Sequence, residues 1–257
     1  MAHQSECTVS VADKSAVVIG GSTGIGRAIA RSFAEEGADV IATSRSEENV
    51  EDATEELRSL GATTTAVTCD VRDDDSIENL WEVAEETLGG VDVLVNSAGS
   101  VARAPVTEMT DEQWAQDIDV CLTGVFRACR AFGQGMNEGG SIVNISSMSA
   151  GQARENRGAY CAAKSGVNGL TRAAAADLAP EIRVNAIAPG FVKTEMAGGA
   201  FDEGTETREA IDERTPMERV ATPDEIAGAA VYLASDAASF TTGEIITIDG
   251  AYDDSAF

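Results

Sequence analysis

The chain has 257 residues, of which 44 are acidic and 18 are basic, and its formal net charge at pH 7 is -26. A chain of this length can form one domain with a sizeable hydrophobic core. The acidic surplus is spread over most predicted helices and argues against nucleic acid and anionic membranes as partners, because both would be repelled.

The first predicted elements are a strand, a glycine-rich turn and a helix. Residues 16–19 are an apolar run of strand length, and residues 27–34 have a helical pattern. The turn between them is Gly20, Gly21, Ser22, Thr23, Gly24, Ile25 and Gly26. Glycines let the backbone approach a phosphate, and the helix N-terminus offers free N–H groups. This arrangement predicts a dinucleotide site, although its spacing is not G-x-G-x-x-G and an ordinary loop is the alternative.

The second predicted strand, residues 39–43, leads into Ser44 and Arg45. In a dinucleotide site this point reaches the adenosine ribose, where an acidic side chain would favour NAD. Ser44 takes the acidic position, and the Arg45 guanidinium suits a 2′-phosphate by charge and by its forked donors. The sequence therefore favours NADP, with NAD as a second option. The alternative is that Arg45 merely faces solvent before the next helix.

Strands and helices alternate along the rest of the chain. We predict seven strands, near residues 16–20, 39–43, 64–68, 91–95, 140–146, 182–187 and 244–248. Predicted helices fill the intervals, including residues 111–132 and 159–178. Repeated strand–helix units predict an α/β fold with a parallel sheet and helices on both faces.

The predicted helix 159–178 carries a candidate catalytic pair. Tyr160 and Lys164 are four residues apart and share one helix face, and Ser147 precedes Tyr160 by thirteen residues. An ammonium favours the phenolate form of a nearby tyrosine, and a serine hydroxyl can hold a substrate oxygen. The three residues predict proton transfer to or from an alcohol or carbonyl. A surface tyrosine beside an unrelated lysine is the alternative.

These motifs, in this order, resemble the short-chain dehydrogenase/reductase family over about residues 11–250. The matching segments are residues 20–26, 70–71, 96–99, Ser147, Tyr160, Lys164, 185–190, Thr194 and 249–250. The resemblance implies a single Rossmann-type domain with a doubly wound, seven-stranded parallel sheet. It also implies hydride transfer between a nicotinamide and a secondary alcohol or carbonyl. In that reaction Tyr160 is the acid or base, Ser147 orients the substrate oxygen and Lys164 holds the nicotinamide ribose.

The same resemblance implies which residues bind the cofactor, NADP or NAD. They are Gly20, Ser22, Thr23, Gly24, Ile25, Gly26, Ser44, Arg45, Asp70, Val71, Asn96, Ala98, Gly99, Tyr160, Lys164, Pro189, Gly190, Val192 and Thr194. Asp70 and Val71 follow the third predicted strand, where the family contacts adenine. No metal is expected, because the single histidine, His3, excludes a histidine-rich metal site.

Two departures from the family pattern concern the site. Ser97 replaces an asparagine after the fourth strand, which is a mild change because that segment mainly sets backbone geometry. Cys121 replaces the asparagine that completes a catalytic tetrad in many members. A thiol cannot replace the amide, although the backbone carbonyl can still hold a water for proton relay. We therefore interpret Cys121 as a small buried apolar residue and expect activity to persist, at a reduced level.

The sequence limits the substrate less sharply. Gln152, Arg154, Glu155 and Arg157 lie between Ser147 and Tyr160. Their polarity favours a sugar, polyol or hydroxy acid over a steroid, and solvent exposure explains it equally well. Two other functions stay open: reduction of a 3-oxoacyl thioester of acyl-carrier protein or coenzyme A, and a non-catalytic NADP-binding regulator. Residues 195–217 interrupt the strand–helix alternation, so we predict a mobile substrate lid, with a plain surface excursion as the alternative.

The remaining expectations concern the environment of the protein. The five cysteines, Cys7, Cys69, Cys121, Cys129 and Cys161, show no paired spacing, and we expect neither a signal peptide nor a membrane span. Free thiols fit a reducing cytoplasm. An acid surplus with only three lysines resembles proteins of salt-accumulating halophiles. In many members of the family, the helices that correspond to residues 111–132 and 159–178 form the tetramer faces. The resemblance therefore predicts a homotetramer, and it also predicts a small-molecule substrate.

Overall fold

The computed structural model describes residues 8–253, so His3 and Cys7 lie outside the described part of the chain. Within it, the strands are β1 (Ser15–Ile19), β2 (Asp39–Thr43), β3 (Val93–Asn96), β4 (Gly140–Ile145), β5 (Ile182–Pro189) and β6 (Ile245–Ile248). They form one sheet in the order β2-β1-β3-β4-β5-β6, and every pairing is parallel. From β1, the chain adds β2 on one side and then β3, β4, β5 and β6 in turn on the other side, so the sheet is doubly wound, as predicted.

Of the seven predicted strands, the third, residues 64–68, is wrong, and the sheet of the described residues has six strands. The segment runs beside β2, but its backbone bonds are confined to its ends, from Val40 N to Thr63 O and from Cys69 N to Ser44 O. Between them, the Thr43 hydroxyl donates to the Val67 carbonyl in place of a ladder bond. Threonine-rich sequence has strand propensity, but here side chains satisfy backbone groups that a strand would pair.

Eight α-helices connect the strands of the described chain. They are α1 (Gly24–Glu35), α2 (Glu47–Ser59), α3 (Asp74–Leu88), α4 (Asp111–Ile118), α5 (Gly124–Gly133), α6 (Gly158–Leu178), α7 (Glu206–Arg214) and α8 (Asp224–Ala234). Several begin at a side-chain cap: Ser46 caps α2, Asp73 caps α3 and Thr110 forms a capping box with Gln113 at α4. Each of these helices is too short or too polar to serve as a transmembrane span.

The helices cover both faces of the sheet, which confirms the predicted layering. On one face α1 and α8 pack together, with Ile29, Phe33 and Ile226 in the core. On the other face α3, α5 and α6 contribute a second core that includes Leu80 and Phe132. Alternate residues of each strand enter the two cores, so the strands read as continuous apolar runs. Packing in the two cores fixes the positions of the strand ends and therefore of the residues that follow them.

Two local departures from the predicted elements lie near these ends. The helix predicted over residues 111–132 is divided into α4 and α5 by a π-helical segment, Asp119–Thr123, that contains Cys121. Such segments within helices occur often at functional sites. The segment 185–190, expected to follow a strand, lies mostly inside β5, which continues to Pro189. β5 is therefore longer than predicted, because β6 pairs with it as far as Ile248.

Candidate active site

A cleft of about 600 Å³ opens at the carboxyl ends of the strands. At what we call the dinucleotide end, the residues that follow β1 and β2 line it: Gly20, Ser22, Thr23, Gly24, Ser44 and Arg45. At the substrate end it is lined by Arg103, Ser147, Arg154, Arg157 and Tyr160. β2 and β4 are three strand positions apart, so the two ends are separated by roughly 14 Å. Ligands of doubly wound sheets bind in this position.

The glycine turn is shaped by close backbone contacts. Gly20 has φ +77°, and a Cβ atom there would lie 2.5 Å from the Ala98 N. A Cβ on Gly26 would lie 2.1 Å from the Gly20 carbonyl oxygen. Thr23 begins α1 without a side-chain cap, and the first turn of α1 carries no acidic residue. Its N–H groups therefore face the cleft beside a positive dipole end, and the residues present fit a dinucleotide pyrophosphate.

Ser22, Ser44 and Arg45 form the wall where an adenosine ribose would lie. The Ser22 hydroxyl donates to the Ser44 hydroxyl at 2.7 Å, which links the glycine turn to the end of β2. Arg45 is exposed and makes no hydrogen bond or ion pair with any other described residue. Its guanidinium is therefore available to a ligand in the cleft, and no carboxylate lines this end of the cleft.

Most residues predicted to bind cofactor or substrate line this cleft. They are Gly20, Ser22, Thr23, Gly24, Ile25, Ser44, Arg45, Val71, Ala98, Gly99, Ser147, Tyr160, Lys164, Pro189, Gly190, Val192 and Thr194. Gly26, Asp70 and Asn96 are not part of its lining. Gly26 lies beneath the turn, the Asp70 carboxylate pairs with Arg72, and Asn96 Nδ2 donates to Asn144 Oδ1 at 2.9 Å. These three residues shape the backbone around the cleft instead of forming its wall.

The predicted catalytic residues come from β4 and α6. Ser147 follows the end of β4, and its hydroxyl accepts a hydrogen bond from Ser149 N at 3.1 Å. Lys164 is buried on α6, and its Nζ donates to the Ile145 carbonyl at 2.7 Å. The same Nζ lies 5.8 Å from the centroid of the Tyr160 ring. The ammonium thus keeps two donors for other partners, within reach of both the tyrosine and the cleft.

Asp117 and Cys121 hold the loop that leaves β3. The buried Asp117 carboxylate accepts from Ala102 N at 2.9 Å and from the Ser100 hydroxyl at 3.0 Å. Cys121 Sγ lies 3.3 Å from both the N and the O of Ser100. Burial raises the pKa of Cys121 and outweighs the opposing effect of Lys164. The thiol is therefore neutral at pH 7, and the observed contacts agree with the prediction that Cys121 is a small buried residue.

The loop from Ser147 to Tyr160 brings two arginines into the cleft. Arg154 and Arg157 line it, whereas Gln152 and Glu155 do not. The Arg154 guanidinium stacks 4.4 Å from the centroid of the Phe191 ring. Arg157 is half-buried at the start of α6, and burial lowers its pKa, with the charges of Arg103 and Arg154 acting in the same direction. This end of the cleft is therefore strongly positive.

Residues 195–217 form a cover beside the substrate end. A short 3-10 segment, Glu195–Phe201, is interrupted at Gly198, whose φ is +57°, and α7 follows. Met196 and Phe201 line the cleft, and the Phe201 ring meets Phe191 edge-on at 5.5 Å. The cover thus lies where a lid was predicted.

Sequence reasoning missed Asp117 and Arg103. Asp117 precedes Cys121 by four residues, and that spacing on a helix indicates a shared face. Arg103 has no local motif; an isolated backbone bridge between Ala104 and Arg157 brings its loop to α6. Cys69, Cys121, Cys129 and Cys161 are free thiols, and no cluster of potential metal ligands occurs among residues 8–253.

Comparison with known proteins agrees with this geometry. A family model described as enoyl-(acyl carrier protein) reductase matches residues 20–253. Cis-4-hydroxycyclohexanecarboxylate dehydrogenase of Sinomonas cyclohexanicum is 40% identical over 94% of this chain and 97% of its own. D-threitol dehydrogenase of Mycolicibacterium smegmatis is 38% identical over 93% and 92%. The 3-oxoacyl-[acyl-carrier-protein] reductase of Thermotoga maritima is 38% identical over 92% and 96%.

A solved structure shares the whole architecture. It is a candidate NAD(P)-dependent gluconate 5-dehydrogenase from Beutenbergia cavernae with NADP bound at low occupancy, and it is 38% identical to this chain. The two superpose with a TM-score of 0.88 over 96% of this chain and 99% of that one. The likeness therefore extends over the strands and helices that form the cleft.

Proposed function

The chain belongs to the short-chain dehydrogenase/reductase family, and from that premise we propose that it is an NADP-preferring dehydrogenase or reductase of a sugar, polyol or hydroxy acid. The coarser activity, NAD(P)-dependent interconversion of an alcohol and a carbonyl, follows from family membership. The observation that carries the proposal is the continuous cleft from the glycine turn to Ser147, Tyr160 and Lys164. When bound, the nicotinamide cofactor donates or accepts the hydride.

The residues of the chain move the accompanying proton. In reduction, the Tyr160 hydroxyl gives its proton to the carbonyl oxygen, and in oxidation the phenolate takes the proton from the alcohol. The Ser147 hydroxyl donates a hydrogen bond to the same oxygen and fixes its position. The Lys164 ammonium, anchored at the Ile145 carbonyl, stabilises the phenolate and offers a donor to the nicotinamide ribose.

NADP preference is supported by the open Arg45 guanidinium and by the hydroxyl of Ser44 in the position where an acid would favour NAD. A guanidinium binds a phosphate through charge-assisted, paired hydrogen bonds. The solved relative with NADP adds support for this cofactor at such a site.

A polar substrate is supported by the arginines at the substrate end and by relatives named for a polyol and a hydroxy acid. Reduction of a 3-oxoacyl thioester is the second candidate, favoured by the Thermotoga maritima relative. Acyl-carrier protein is acidic, however, and a chain of net charge -26 would repel it. A coenzyme A thioester avoids that objection.

The test is turnover with NADP and with NAD, in molar KCl, against sugars, polyols, hydroxy acids and 3-oxoacyl thioesters. We expect faster turnover with NADP on a sugar, polyol or hydroxy acid. Turnover of thioesters alone would establish the second candidate. A folded protein that binds NADPH but turns over nothing would indicate the non-catalytic regulator.

We extend the proposal to the setting of the enzyme. A single domain in which residues 195–217 act as a substrate lid is supported by the contacts of Met196 and Phe201 with the cleft. A homotetramer is supported by the exposed Trp114 on α4 and Phe126 on α5. A cytoplasmic, salt-adapted protein is supported by the free thiols and the acid surplus. Light scattering tests the assembly, and an unfolding midpoint that rises with KCl tests the salt adaptation.

A further inference from the structure

The charge of the cleft is opposite to that of the chain. Acidic residues outnumber basic ones 44 to 18 in the sequence. Of the six charged side chains that line the cleft, five are cationic and one, Glu195, is acidic. Arg45 lies at the dinucleotide end and Lys164 belongs to the catalytic group. Three further cations, Arg103, Arg154 and Arg157, are not used by the hydride-transfer chemistry.

These three arginines, which we call the arginine cluster, lie beside the reacting groups. Arg154 and Arg157 belong to the loop between Ser147 and Tyr160, and Arg157 comes immediately before α6, on which Tyr160 lies in the first turn. Arg103 is brought to the same place because Ala104 bridges to Arg157 and Ala104 N donates to Asn156 O at 3.1 Å. The cluster is therefore close to Tyr160 and remote from Arg45.

No described carboxylate neutralises the cluster, since none of its members forms an ion pair within residues 8–253. Arg154 is stacked by its face on Phe191, its Nη2 donates to the Met148 Sδ at 3.6 Å, and its buried Nε has no hydrogen-bond partner among the described residues. Stacking occupies only the face of a guanidinium and a thioether sulfur is a weak acceptor, so Arg154 keeps N–H donors for a carboxylate.

Placing three guanidinium groups together has a cost. The pKa of Arg157 is lowered, first by burial and then by repulsion from Arg103 and Arg154. An anion bound between them relieves that repulsion, whereas a neutral ligand leaves it in place. The half-buried position of Arg157 strengthens the effect, since charges interact more strongly away from water.

We propose that the substrate is a hydroxy acid or its oxo acid, whose carboxylate is bound by Arg103, Arg154 and Arg157 while its alcohol or carbonyl lies at Ser147 and Tyr160. This inference rests on the proposed oxidoreductase function and narrows it. The cluster disfavours a neutral polyol, which gains little from three cations. It also disfavours a long acyl chain, which would bury apolar surface against charged groups.

The experiment compares matched pairs that differ only in charge. The pairs are D-gluconate with D-glucitol, 3-hydroxybutyrate with its amide, and cis-4-hydroxycyclohexanecarboxylate with its carboxamide. For each pair we would measure kcat/KM with NADP, and by calorimetry the binding of both members to the NADP-loaded protein. We expect the anion to be favoured over its neutral partner by about ten-fold or more, as for hydrogen bonds to charged groups.

Three variants locate the effect. Arg103 is exposed, so R103Q tests the cluster with little risk to folding, and R157Q removes its half-buried member. Both should reduce the preference for the anion by about ten-fold, mainly through KM. Turnover of the neutral partner should fall clearly less than turnover of the anion, and R172Q supplies the unchanged reference. The control is R172Q, which removes an exposed charge from α6 outside the cleft. It should leave kcat/KM unchanged for both members of each pair.

The outcomes separate this inference from the proposed function. Equal turnover and equal binding of the two members in every pair would overturn the inference, as would an R157Q variant that lowers both members equally. Turnover of neutral alcohols or thioesters alone would also overturn the inference, because it would show an oxidoreductase that has no carboxylate site. Preferential binding of the anions with no hydride transfer from any compound would leave the carboxylate site in place and refute the proposed function.

Discussion

The two ends of the cleft are built in different ways. The dinucleotide end is made largely of backbone: Gly20, Gly24, the first turn of α1 and the end of β2, with Gly26 packed beneath the turn. The substrate end is made of side chains, chiefly the arginine cluster and the aromatic ring of Phe191. Backbone geometry suits a phosphate that every cofactor of this kind shares, whereas side chains can differ between relatives with different substrates. The difference teaches that family membership informs the first end far more than the second.

Tyr160 carries the proton transfer at the substrate end, and Tyr160→Phe should have the largest effect. Loss of the proton donor should lower kcat by about 10²–10⁴-fold, the usual contribution of general acid–base catalysis. NADPH binding, measured by fluorescence, should weaken far less than turnover, because the dinucleotide end keeps its contacts and only the Tyr160 hydroxyl is lost. Tyr232→Phe is the matched control. The Tyr232 hydroxyl lies 3.2 Å from Thr241 Oγ1, and neither residue lines the cleft. Equal activity of the two variants would remove Tyr160 from the reaction.

The dinucleotide end is tested next by Arg45→Gln. Loss of a charged donor to a 2′-phosphate should lower kcat/KM with NADP by about ten- to hundred-fold and leave that with NAD nearly unchanged. Arg58→Gln removes an exposed arginine from the end of α2 and controls for net charge. An equal loss with both cofactors would show that Arg45 does not discriminate between them.

The backbone nature of the same end is tested by Gly26→Ala. The added Cβ would meet the Gly20 oxygen at 2.1 Å, and the strain should lower the free energy of unfolding by about 1–3 kcal/mol. NADPH affinity should fall with it, because the turn must move. At Gly228, inside α8, an added Cβ meets no atom within 4 Å, so Gly228→Ala should be neutral or stabilising by about 0.4–1 kcal/mol. Denaturant titration of both variants measures the contrast; equal stability would contradict it.

The sequence predicted the dinucleotide end because its signals are local. Residues 16–34 contain the strand, the glycines and the helix in one continuous segment. The predicted strand over residues 64–68 failed because its pairing is not decided locally. Its threonines favour strands, but whether their backbone pairs with β2 depends on side chains such as Thr43 that are distant in sequence.

The lining of the substrate end could be identified only from the fold. Arg154 and Arg157 could be suspected from their place between Ser147 and Tyr160, yet their neighbours Gln152 and Glu155 were equally plausible and do not line the cleft. Arg103 joins them only through the bridge at Ala104, over fifty residues of intervening chain. No spacing rule encodes such a contact, so the sequence pattern alone predicts a polar substrate and leaves sugars, polyols and hydroxy acids equally open.

The smallest effect is expected at Cys121, which is buried beneath the loop that leaves β3 and does not line the cleft. Its thiol is buried, and burial raises its pKa, so it brings no charge to Lys164 at pH 7. Cys121→Ala removes two weak sulfur contacts to Ser100, worth about 0.5–1 kcal/mol, and should lower turnover by no more than about three-fold.

Cys129→Ala is the control for loss of a buried sulfur, since the Cys129 Sγ lies 3.7 Å from Asn96 Nδ2 inside the core. Turnover per folded molecule, with folding monitored by circular dichroism, compares the two variants. If Cys121→Ala lost far more turnover than Cys129→Ala, the thiol would take part in the proton path. A small and equal loss instead leaves that path to Tyr160, Lys164 and the backbone carbonyls around them, so the asparagine typical of the family is dispensable in this chain.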